Sequence, residues 1–280
     1  MLTEADVRAL LGTEVPVHRM FLGEFDTWAI GDDLVAKFPR TAYDAAKVPL
    51  EVAVHPILRE LLGDVVPAIR STGRMRDGSA YVVHERARGT QGQTDGGSSI
   101  TPGEELAADV GVLLGRIHAV DAATASGWRL GERQVSYETP NLGDHALSFA
   151  ARTLGERLDT FLAAPPPLPP ARRVLCHTDL KGEHVFVSDD RSRVTAIIDW
   201  ADTEICDPAR DYAGLAIWLG PAFALAAVEA SDEDDDGLAD RGVWLARAGT
   251  LEYWDDVLTG KEDAPRDLIT AQLVTAFGDQ

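Results

Sequence analysis

The sequence predicts an α+β fold with two lobes, a small β-rich lobe at the front of the chain and a larger, mainly helical lobe behind it. Short runs rich in β-branched and aromatic residues alternate with turn signals in the first hundred residues. From Pro102 onward, apolar residues mostly recur at spacings of three and four, which is typical of amphipathic helices. A Gly-rich, polar stretch over 89–99 separates the two regions and indicates a connection between lobes.

The front lobe is predicted to contain one helix before its strands. MLTEADVRALL indicates a capped helix with Thr3 as the N-cap, and it lacks the basic and apolar regions of a signal peptide. The runs FLGEFDTWAI and LVAKF flank the turn Gly31-Asp32-Asp33 and predict a β-hairpin. A helix over 48–62 and a short strand over 80–84 are expected to follow.

The back lobe is predicted to be helical around one further hairpin. Helices are expected from Leu106 to His118 and over about 144–163, where the proline run 165–170 ends the second. Two β-branched runs at 185–187 and 194–198 flank a turn and indicate a hairpin. The uncharged stretch 212–228 contains Gly220-Pro221, so we interpret it as two buried helices rather than a membrane span.

The charge balance restricts the class of ligand. Of the 280 residues, 26 are basic and 46 acidic, which gives a formal net charge of −20. This balance argues against a nucleic-acid partner, which needs clustered Lys and Arg, and it favours cationic ligands. A trait of solubility or salt tolerance explains the acidity equally well. Two cysteines make no disulfide framework, so we expect a soluble, cytoplasmic protein without a membrane partner.

The segment VLCHTDLKGEHVFVSDDRSRVTAIIDW is the richest in chemistry. A predicted loop carries Asp179, and a potential metal ligand, His184, follows five residues later. The hairpin then returns the chain and delivers a second carboxylate, Asp199, which can face the Asp179 loop. Phosphoryl transfer needs a carboxylate to orient and deprotonate the attacking hydroxyl, and metal ions to hold the β- and γ-phosphates. The segment therefore indicates phosphoryl transfer.

Three motifs at this spacing resemble the aminoglycoside phosphotransferase family, which includes macrolide kinases and several metabolite kinases. HTDLKGEH over 177–184 is similar to its catalytic loop, IDW over 198–200 to its metal-binding motif, and CDPARDYA over 206–213 to the signature that follows. The resemblance extends from about Val17 to Ala213 and becomes vague afterwards. It implies a bilobal, protein-kinase-like fold, ATP or GTP as phosphoryl donor, and Mg²⁺.

The resemblance also implies catalytic and metal-binding residues. Asp179 would be the base or the carboxylate that positions the hydroxyl, and Lys181 would contact the γ-phosphate unless it is a solvated loop lysine. Asp199 and His184 would hold the metal ions, while His177 would brace the loop through hydrogen bonds. His184 replaces the commoner Asn, as it does in macrolide kinases, although Mg²⁺ prefers oxygen ligands.

The same resemblance places the nucleotide in the front lobe. Residues 1–88 would form the nucleotide-binding lobe with a hinge at about 85–89, and residues 89–280 would carry the catalytic loop, metal site and substrate pocket. Lys37 paired with Glu51 would hold the α- and β-phosphates under the turn 23–28, and His84 would stand behind the base or belong to the core. The implied nucleotide-binding residues are Thr27, Lys37, Glu51, Glu85 through its carbonyl, and Ala87 through its amide.

The expected reaction moves the γ-phosphoryl group to a hydroxyl of a small molecule. A cationic aminoglycoside antibiotic is the first expectation; a macrolide, or a metabolite such as choline, homoserine or a sugar, is the alternative. A non-catalytic nucleotide-binding relative is disfavoured because Asp179 and Asp199 are both present. We interpret the acidic run 232–236 as a mobile, solvated loop rather than a site for ammonium groups. Aromatic residues of the tail either line an acceptor pocket or belong to the core: Trp218, Phe223, Trp244, Tyr253 and Trp254.

Overall fold

The front of the molecule is built on one antiparallel sheet and two helices. The computed structural model describes residues 1–94, 99–128 and 130–278. The first helix, α1 (Glu4–Leu11), begins at the predicted N-cap Thr3, which forms a capping box with Asp6. Five strands follow in the spatial order β1-β2-β3-β5-β4. Their bounds are β1 Val17–Leu22, β2 Phe25–Ile30, β3 Leu34–Pro39, β4 Ile69–Arg74 and β5 Ala80–Glu85.

Two predictions for this region need correction. The run FLGEFDTWAI is wrong as a single strand, because the chain reverses at Gly23-Glu24 and β1 pairs antiparallel with β2. The predicted turn over 31–33 is confirmed and joins β2 to β3. The helix expected over 48–62 is α2 (Ala42–Leu62), which begins earlier because Thr41 and Asp44 form a second capping box. Its buried face packs against the sheet.

The back of the molecule is mainly helical, as predicted. The fold class, α+β with a β-rich front and a helical back, is confirmed. Small three-stranded sheets lie beside the helices. One contains β6 Thr90–Gln91, β9 Val185–Val187 and β10 Val194–Ile197. Another contains β7 Gly131–Glu132, β8 Val174–Cys176 and β11 Glu204–Cys206. The helices are α3 Leu106–His118, α4 Ala122–Ala125, α5 Asp144–Leu154, α6 Glu156–Ala163, α7 Ala209–Leu219, α8 Pro221–Ala230, α9 Leu238–Thr259 and α10 Arg266–Ala276.

Glycines decide where several of these helices end. The single helix expected over 144–163 is wrong, because Gly155 adopts φ 56° and divides it into α5 and α6. The prediction of two buried helices over 212–228 is confirmed, with Gly220 ending α7 and Pro221 starting α8. Among the described helices, none is long and apolar enough to cross a membrane. The predicted connection over 89–99 contains β6, and its residues 95–98 lie outside the described residues.

The main hydrophobic core lies in the back region and holds the small sheets against the helices. α7 is buried at almost every position and packs against α8, α9 and α10. Tyr212, on this helix, is fully buried. Leu180, Ile197 and Trp200 belong to the same core and anchor the segments on either side of the β9–β10 hairpin. This packing fixes the positions from which Asp179 and Asp199 emerge.

Candidate active site

The loop between β8 and β9 is held in place by buried hydrogen bonds. The backbone N–H groups of His177 and Thr178 donate to the Asp211 carboxylate at 2.9 and 2.7 Å. Thr178 adopts φ 69°, an uncommon conformation for a β-branched residue. α7 approaches the loop so closely that a Cβ on Gly214 would lie 2.1 Å from the Leu180 carbonyl oxygen. The loop therefore has one defined shape.

His177 braces this loop from inside. Its Nε2 lies 2.9 Å from the carbonyl oxygen of Ile198, which can only accept, so Nε2 carries the proton. The Asp179 N–H lies 3.3 Å from Nδ1 and donates to it. Burial lowers the pKa of His177, in agreement with a neutral ring. His177 thus connects the loop to the end of the hairpin, as its predicted structural role requires.

Asp179 projects from the loop with its carboxylate partly exposed. Lys181 Nζ lies 3.0 Å from Asp179 Oδ1 and 3.1 Å from Glu183 Oε1. Burial raises the pKa of Asp179, but the charge of Lys181 outweighs it and the pKa lies below the usual range. Asp179 is therefore ionised at neutral pH, and its carboxylate can accept a hydrogen bond from a substrate hydroxyl.

Asp199 faces this loop from the end of β10, where it adopts φ 66°. Lys37 on β3 reaches it, with Nζ 2.7 Å from Asp199 Oδ1, and also lies 3.5 Å from Glu51 Oε2 on α2. Burial lowers the pKa of Lys37, but Asp199 and Glu51 outweigh burial and raise it. Burial raises the pKa of Asp199, but the charge of Lys37 outweighs burial and holds this pKa well below its usual range. The predicted pair Lys37–Glu51 thus lies directly beside Asp199.

His184 stands between the two aspartates. Its Nδ1 lies 2.7 Å from the Asp179 carbonyl oxygen, so Nδ1 of the neutral ring is protonated and Nε2 keeps its lone pair. Nε2 lies 3.8 Å from Asp199 Oδ2 and 4.0 Å from Glu183 Oε1. An imidazole whose second nitrogen is fixed by a carbonyl is the usual form of a metal-binding histidine.

The donor set around His184 fits a divalent cation. Ligand atoms of Asp179, Glu183 and His184 all lie within 4.8 Å of one another, and Asp199 contributes a further carboxylate next to them. Three carboxylates provide the oxygen ligands that Mg²⁺ prefers, and the imidazole nitrogen suits Mn²⁺ as well. Glu183 was not among the predicted ligands, because one acidic residue between Gly182 and His184 carries no distinctive spacing signal.

A cavity of about 450 Å³ opens between the sheet and the small strands. All seven predicted nucleotide-binding and metal-binding residues line it: Thr27, Lys37, Glu51, Glu85, Ala87, His184 and Asp199. Asp179 and Lys181 are not in its lining, although Asp179 Oδ2 lies 3.6 Å from His184 Nδ1. The Glu85 carboxylate accepts from the Ala68 N–H and pairs with Arg70.

His84 is one of the residues that line this cavity. Its Nε2 is 3.3 Å from Glu51 Oε1. The sequence did not indicate His55, which lines the same wall and whose Nε2 donates to the Pro67 carbonyl oxygen at 2.9 Å. A single histidine on a helix or strand gives no signal in the sequence that its side chain lines a cavity.

The acidic run is exposed at Asp232, Asp234 and Asp236, but the interpretation as a mobile, solvated loop is wrong for Glu233 and Asp235. Glu233 is buried against His118, with 2.7 Å between its Oε1 and Nδ1 of the ring. Asp235 Oδ2 accepts from Arg241 at 2.7 Å, and Arg241 also donates to Asp207 at 2.9 Å. Two acidic residues of the run are thus paired with internal cations, which a run of like charges in the sequence cannot reveal.

Tyr253 is the tail aromatic residue that lies near the loop. Its pKa is raised by burial and by Glu262, and the charges of Lys181, Glu183 and Asp179 also act on it. Its side chain is 39% exposed, whereas those of Trp218, Phe223, Trp244 and Trp254 are buried core residues. The core alternative is therefore correct for these four, and Tyr253 is the partly exposed member of the set.

Lys47 of α2 makes a further contact that the sequence did not indicate. Its Nζ lies 2.9 Å from Glu24 Oε2 in the β1–β2 turn and 2.8 Å from Asp202 Oδ1 beyond β10. Burial lowers the pKa of Lys47, but the two carboxylates outweigh it and raise the pKa. The turn that was expected to cover the phosphates is thereby linked to the segment that carries Asp199.

Comparison with known proteins gives a consistent set of matches. The chain matches the model of the phosphotransferase enzyme family over residues 23–244. A viomycin phosphotransferase from Streptomyces vinaceus is 28% identical over 249 residues, 84% of each chain. The GDP complex of aminoglycoside 2'-phosphotransferase-IIIa superposes with a TM-score of 0.71 at 18% identity, over 98% of this chain and 97% of the other. The apoenzyme of a macrolide 2'-phosphotransferase from Brachybacterium faecium gives 0.68 at 24% identity, over 96% of each chain.

The match extends beyond the resemblance that the motifs carry. Sequence similarity becomes vague after Ala213, yet the matched range continues to residue 244, past the acidic run and into α9. The two solved structures share the fold of this chain along nearly its whole length. The predicted resemblance to the aminoglycoside phosphotransferases is confirmed, and the chain belongs to the phosphotransferase enzyme family.

Proposed function

We propose that this protein transfers the γ-phosphoryl group of a nucleoside triphosphate to a hydroxyl group of an antibiotic. One observation carries the proposal: His184 lies 3.6 Å from the Asp179 carboxylate and 3.8 Å from that of Asp199, beside a cavity that also contains Lys37. The relatives named above act on aminoglycosides, macrolides and viomycin, which supports an antibiotic as the acceptor.

The nucleotide would occupy the 450 Å³ cavity. Lys37, oriented by buried Glu51, would contact the α- and β-phosphates, and Thr27 with the amides of the β1–β2 turn would cover them. The Glu85 carbonyl and Ala87 amide would pair with the base. The GDP complex of the aminoglycoside relative supports a guanine nucleotide as one candidate, and ATP is the other. Residues 1–88 would thus serve as the nucleotide lobe, with a hinge at 85–89 before the remainder.

The residues around His184 would hold Mg²⁺. Asp199 and His184 are the principal ligands by geometry, and Glu183 adds an oxygen within reach. When bound, the cation would neutralise charge on the β- and γ-phosphates. Because Lys37 already contacts Asp199 Oδ1, the second oxygen of Asp199 is the one that faces His184.

Asp179 would orient the attacking hydroxyl. The acceptor oxygen forms a bond to the γ-phosphorus as the bond from that phosphorus to the β–γ bridging oxygen breaks, and the nucleoside diphosphate leaves. The proton of the hydroxyl passes to Asp179. Because Lys181 holds the pKa of Asp179 low, this carboxylate is a weak base, which suits a loose transition state in which the proton moves late. Lys181 would stabilise charge on the transferred group.

A cationic acceptor fits the acidic surroundings of Asp179. Glu183 and Asp179 lie on the loop, and the charge of Glu262 acts on Tyr253, which also feels the charges of the loop. These carboxylates favour an ammonium-bearing molecule, so an aminoglycoside is the first candidate and viomycin is tested beside it. A macrolide remains the alternative, favoured by the partly exposed ring of Tyr253. Both cysteines are free and buried, which supports a reducing, cytoplasmic location.

The test is nucleotide consumption with purified protein and a panel of acceptors. The panel contains aminoglycosides, viomycin, macrolides, choline, homoserine and sugars, each with ATP and with GTP. We expect turnover with one antibiotic class and a product heavier by one phosphate. Asp179→Asn should lower kcat by at least about 1,000-fold without loss of nucleotide binding, while Asp189→Asn, an exposed turn residue, should leave it unchanged. Turnover with metabolites alone, or an active Asp179→Asn, would refute the proposal.

A further inference from the structure

His118, the last residue of α3, is a buried cation. Its side chain has no exposed surface. Nε2 lies 3.0 Å from Asp211 Oδ2, and Nδ1 lies 2.7 Å from Glu233 Oε1. An ionised carboxylate only accepts hydrogen bonds, so both ring nitrogens donate and both carry a proton. The geometry therefore describes an imidazolium held between two carboxylates.

One end of this arrangement is the support of the Asp179 loop. Asp211 uses Oδ1 for the Thr178 amide, and Oδ2 for both the His177 amide and His118. The orientation of the Asp211 carboxylate thus depends on all three donors. If His118 lost its proton, Asp211 would keep the two amides but lose the charged partner that faces them.

The other end is fixed in the acidic run 232–236. Besides His118, Glu233 accepts from the Tyr212 hydroxyl at 2.9 Å and from Arg172 at 3.3 Å. Ser231, two residues before Glu233, is packed closely against α3. A Cβ on Gly115 of this helix would lie 2.4 Å from the Ser231 carbonyl oxygen. Glu233 is consequently anchored, and it can hold the imidazolium in one orientation.

We propose that protonated His118, held by Glu233, is a positioning residue for phosphoryl transfer: it fixes the Asp211 carboxylate and thereby the loop that presents Asp179. Its kinetic consequence rests on the function proposed above. His118 contacts neither the cavity nor the Asp179 side chain, so it acts through the backbone of the loop. Glu233 is the part of the acidic run that serves the active site.

Because its neighbours shift the pKa of His118, loss of the His118 proton should be visible in the pH profile of the reaction. Burial lowers the pKa of His118, but the hydrogen bonds and charges of Asp211 and Glu233 outweigh it and raise the pKa to about 9. Burial raises the pKa values of Tyr212 and Cys176 beyond their usual ranges, and it lowers that of His177. The groups that face His118 are Asp211, Glu233, Tyr212, Arg172, His177 and Cys176.

The first measurement is kcat against pH for the wild type, Glu233→Gln and the control Glu229→Gln, an exposed residue of α8. We expect a falling limb near pH 9 in the wild type. Glu233→Gln removes one carboxylate from His118, so its limb should move down by about one pH unit. Glu229→Gln should leave the limb in place. A limb that stays where it is in Glu233→Gln would overturn the proposal.

The second measurement does not need an acceptor. Amide hydrogen exchange of residues 177–179 reports directly on the loop. His118→Gln removes the charge, and where its amide nitrogen faces one carboxylate its oxygen, which only accepts, is left for the other. We therefore expect exchange to rise by at least about tenfold and kcat to fall about 100-fold, with the nucleotide KM within about twofold. His145→Gln, an exposed histidine, is the control.

The outcomes separate the two proposals. If the wild type turns over no acceptor, the proposed function is wrong, while the exchange data still decide whether His118 positions the loop. If the wild type is active and His118→Gln retains both its kcat and its loop protection, the positioning role is overturned. If His118→Gln fails to fold, the pH profile and the loop exchange of Glu233→Gln decide whether His118 positions the loop. This substitution preserves the shape of the side chain and removes its charge.

Discussion

Raising the pH from about 6 to about 10 should weaken the fold through His118 alone by a measurable amount. The ring is protonated in both folded and unfolded chains below the ordinary histidine pKa of 6.5. Between 6.5 and the raised value of about 9, the folded protein retains a proton that the unfolded chain has lost. The stabilisation is therefore complete below pH 6.5 and disappears as the pH rises through 9.

The magnitude follows from the difference between the two pKa values. A shift of one pKa unit corresponds to about 1.4 kcal/mol, so a rise from 6.5 to about 9 corresponds to about 3 kcal/mol of the free energy of unfolding. Typical domains have a total of about 5 to 15 kcal/mol. Loss of the proton should therefore remove a large share of the stability.

Urea unfolding, followed by tryptophan fluorescence at steps between pH 6 and 10, gives the measurement. The wild type should lose about 3 kcal/mol more than His118→Gln over this range, since other titrations are common to both proteins and cancel in the difference. Glu233→Gln should lose this part of its free energy of unfolding at a lower pH than the wild type. Parallel curves for the wild type and His118→Gln would refute the charged-ring reasoning.

Three further perturbations test the site. Lys37→Met should lower kcat/KM at least about 100-fold, as judged by nucleotide-dependent turnover, because the phosphates lose their buried cation; retention of activity would exclude Lys37 from the site. His184→Asn should lower the ratio of activity with Mn²⁺ to activity with Mg²⁺, since an oxygen replaces a nitrogen ligand; an unchanged ratio would count against His184 as a ligand. Gly214→Ala should destabilise the fold by about 1 to 3 kcal/mol in thermal unfolding, because its Cβ would lie 2.1 Å from the Leu180 carbonyl oxygen. Gly249→Ala, where a Cβ meets nothing within 4 Å, should be neutral or stabilising, and equal effects would contradict the close approach.

The fold class and the reactive segment were predictable because their signals are local. Periodicity marks α3, the uncharged stretch broken at Gly220-Pro221 marks α7, and the spacing from Asp179 to Asp199 is fixed by one hairpin. The division of the helix at Gly155 was missed because apolar spacing continues across a glycine whose φ value the sequence does not show. The early start of α2 could have been found, since Thr41 and Asp44 have the spacing of a capping box.

The supporting network could not have been predicted in the same way. His118 and Glu233 are 115 residues apart, and a pairing over that distance is created by packing of α3 against α8. Runs of acidic residues are usually solvated, and no feature of the run itself distinguishes Glu233 or Asp235 from their neighbours. Lys47 and Glu183 likewise gain their roles only when helix, turn and hairpin come together.

The anchored acidic run has a practical consequence for protein engineering. A charged stretch between two helices is a natural choice for an epitope tag, a protease site or a fluorescent label. Here an insertion would separate Glu233 from His118 and Asp235 from Arg241, and would be expected to impair activity at a distance.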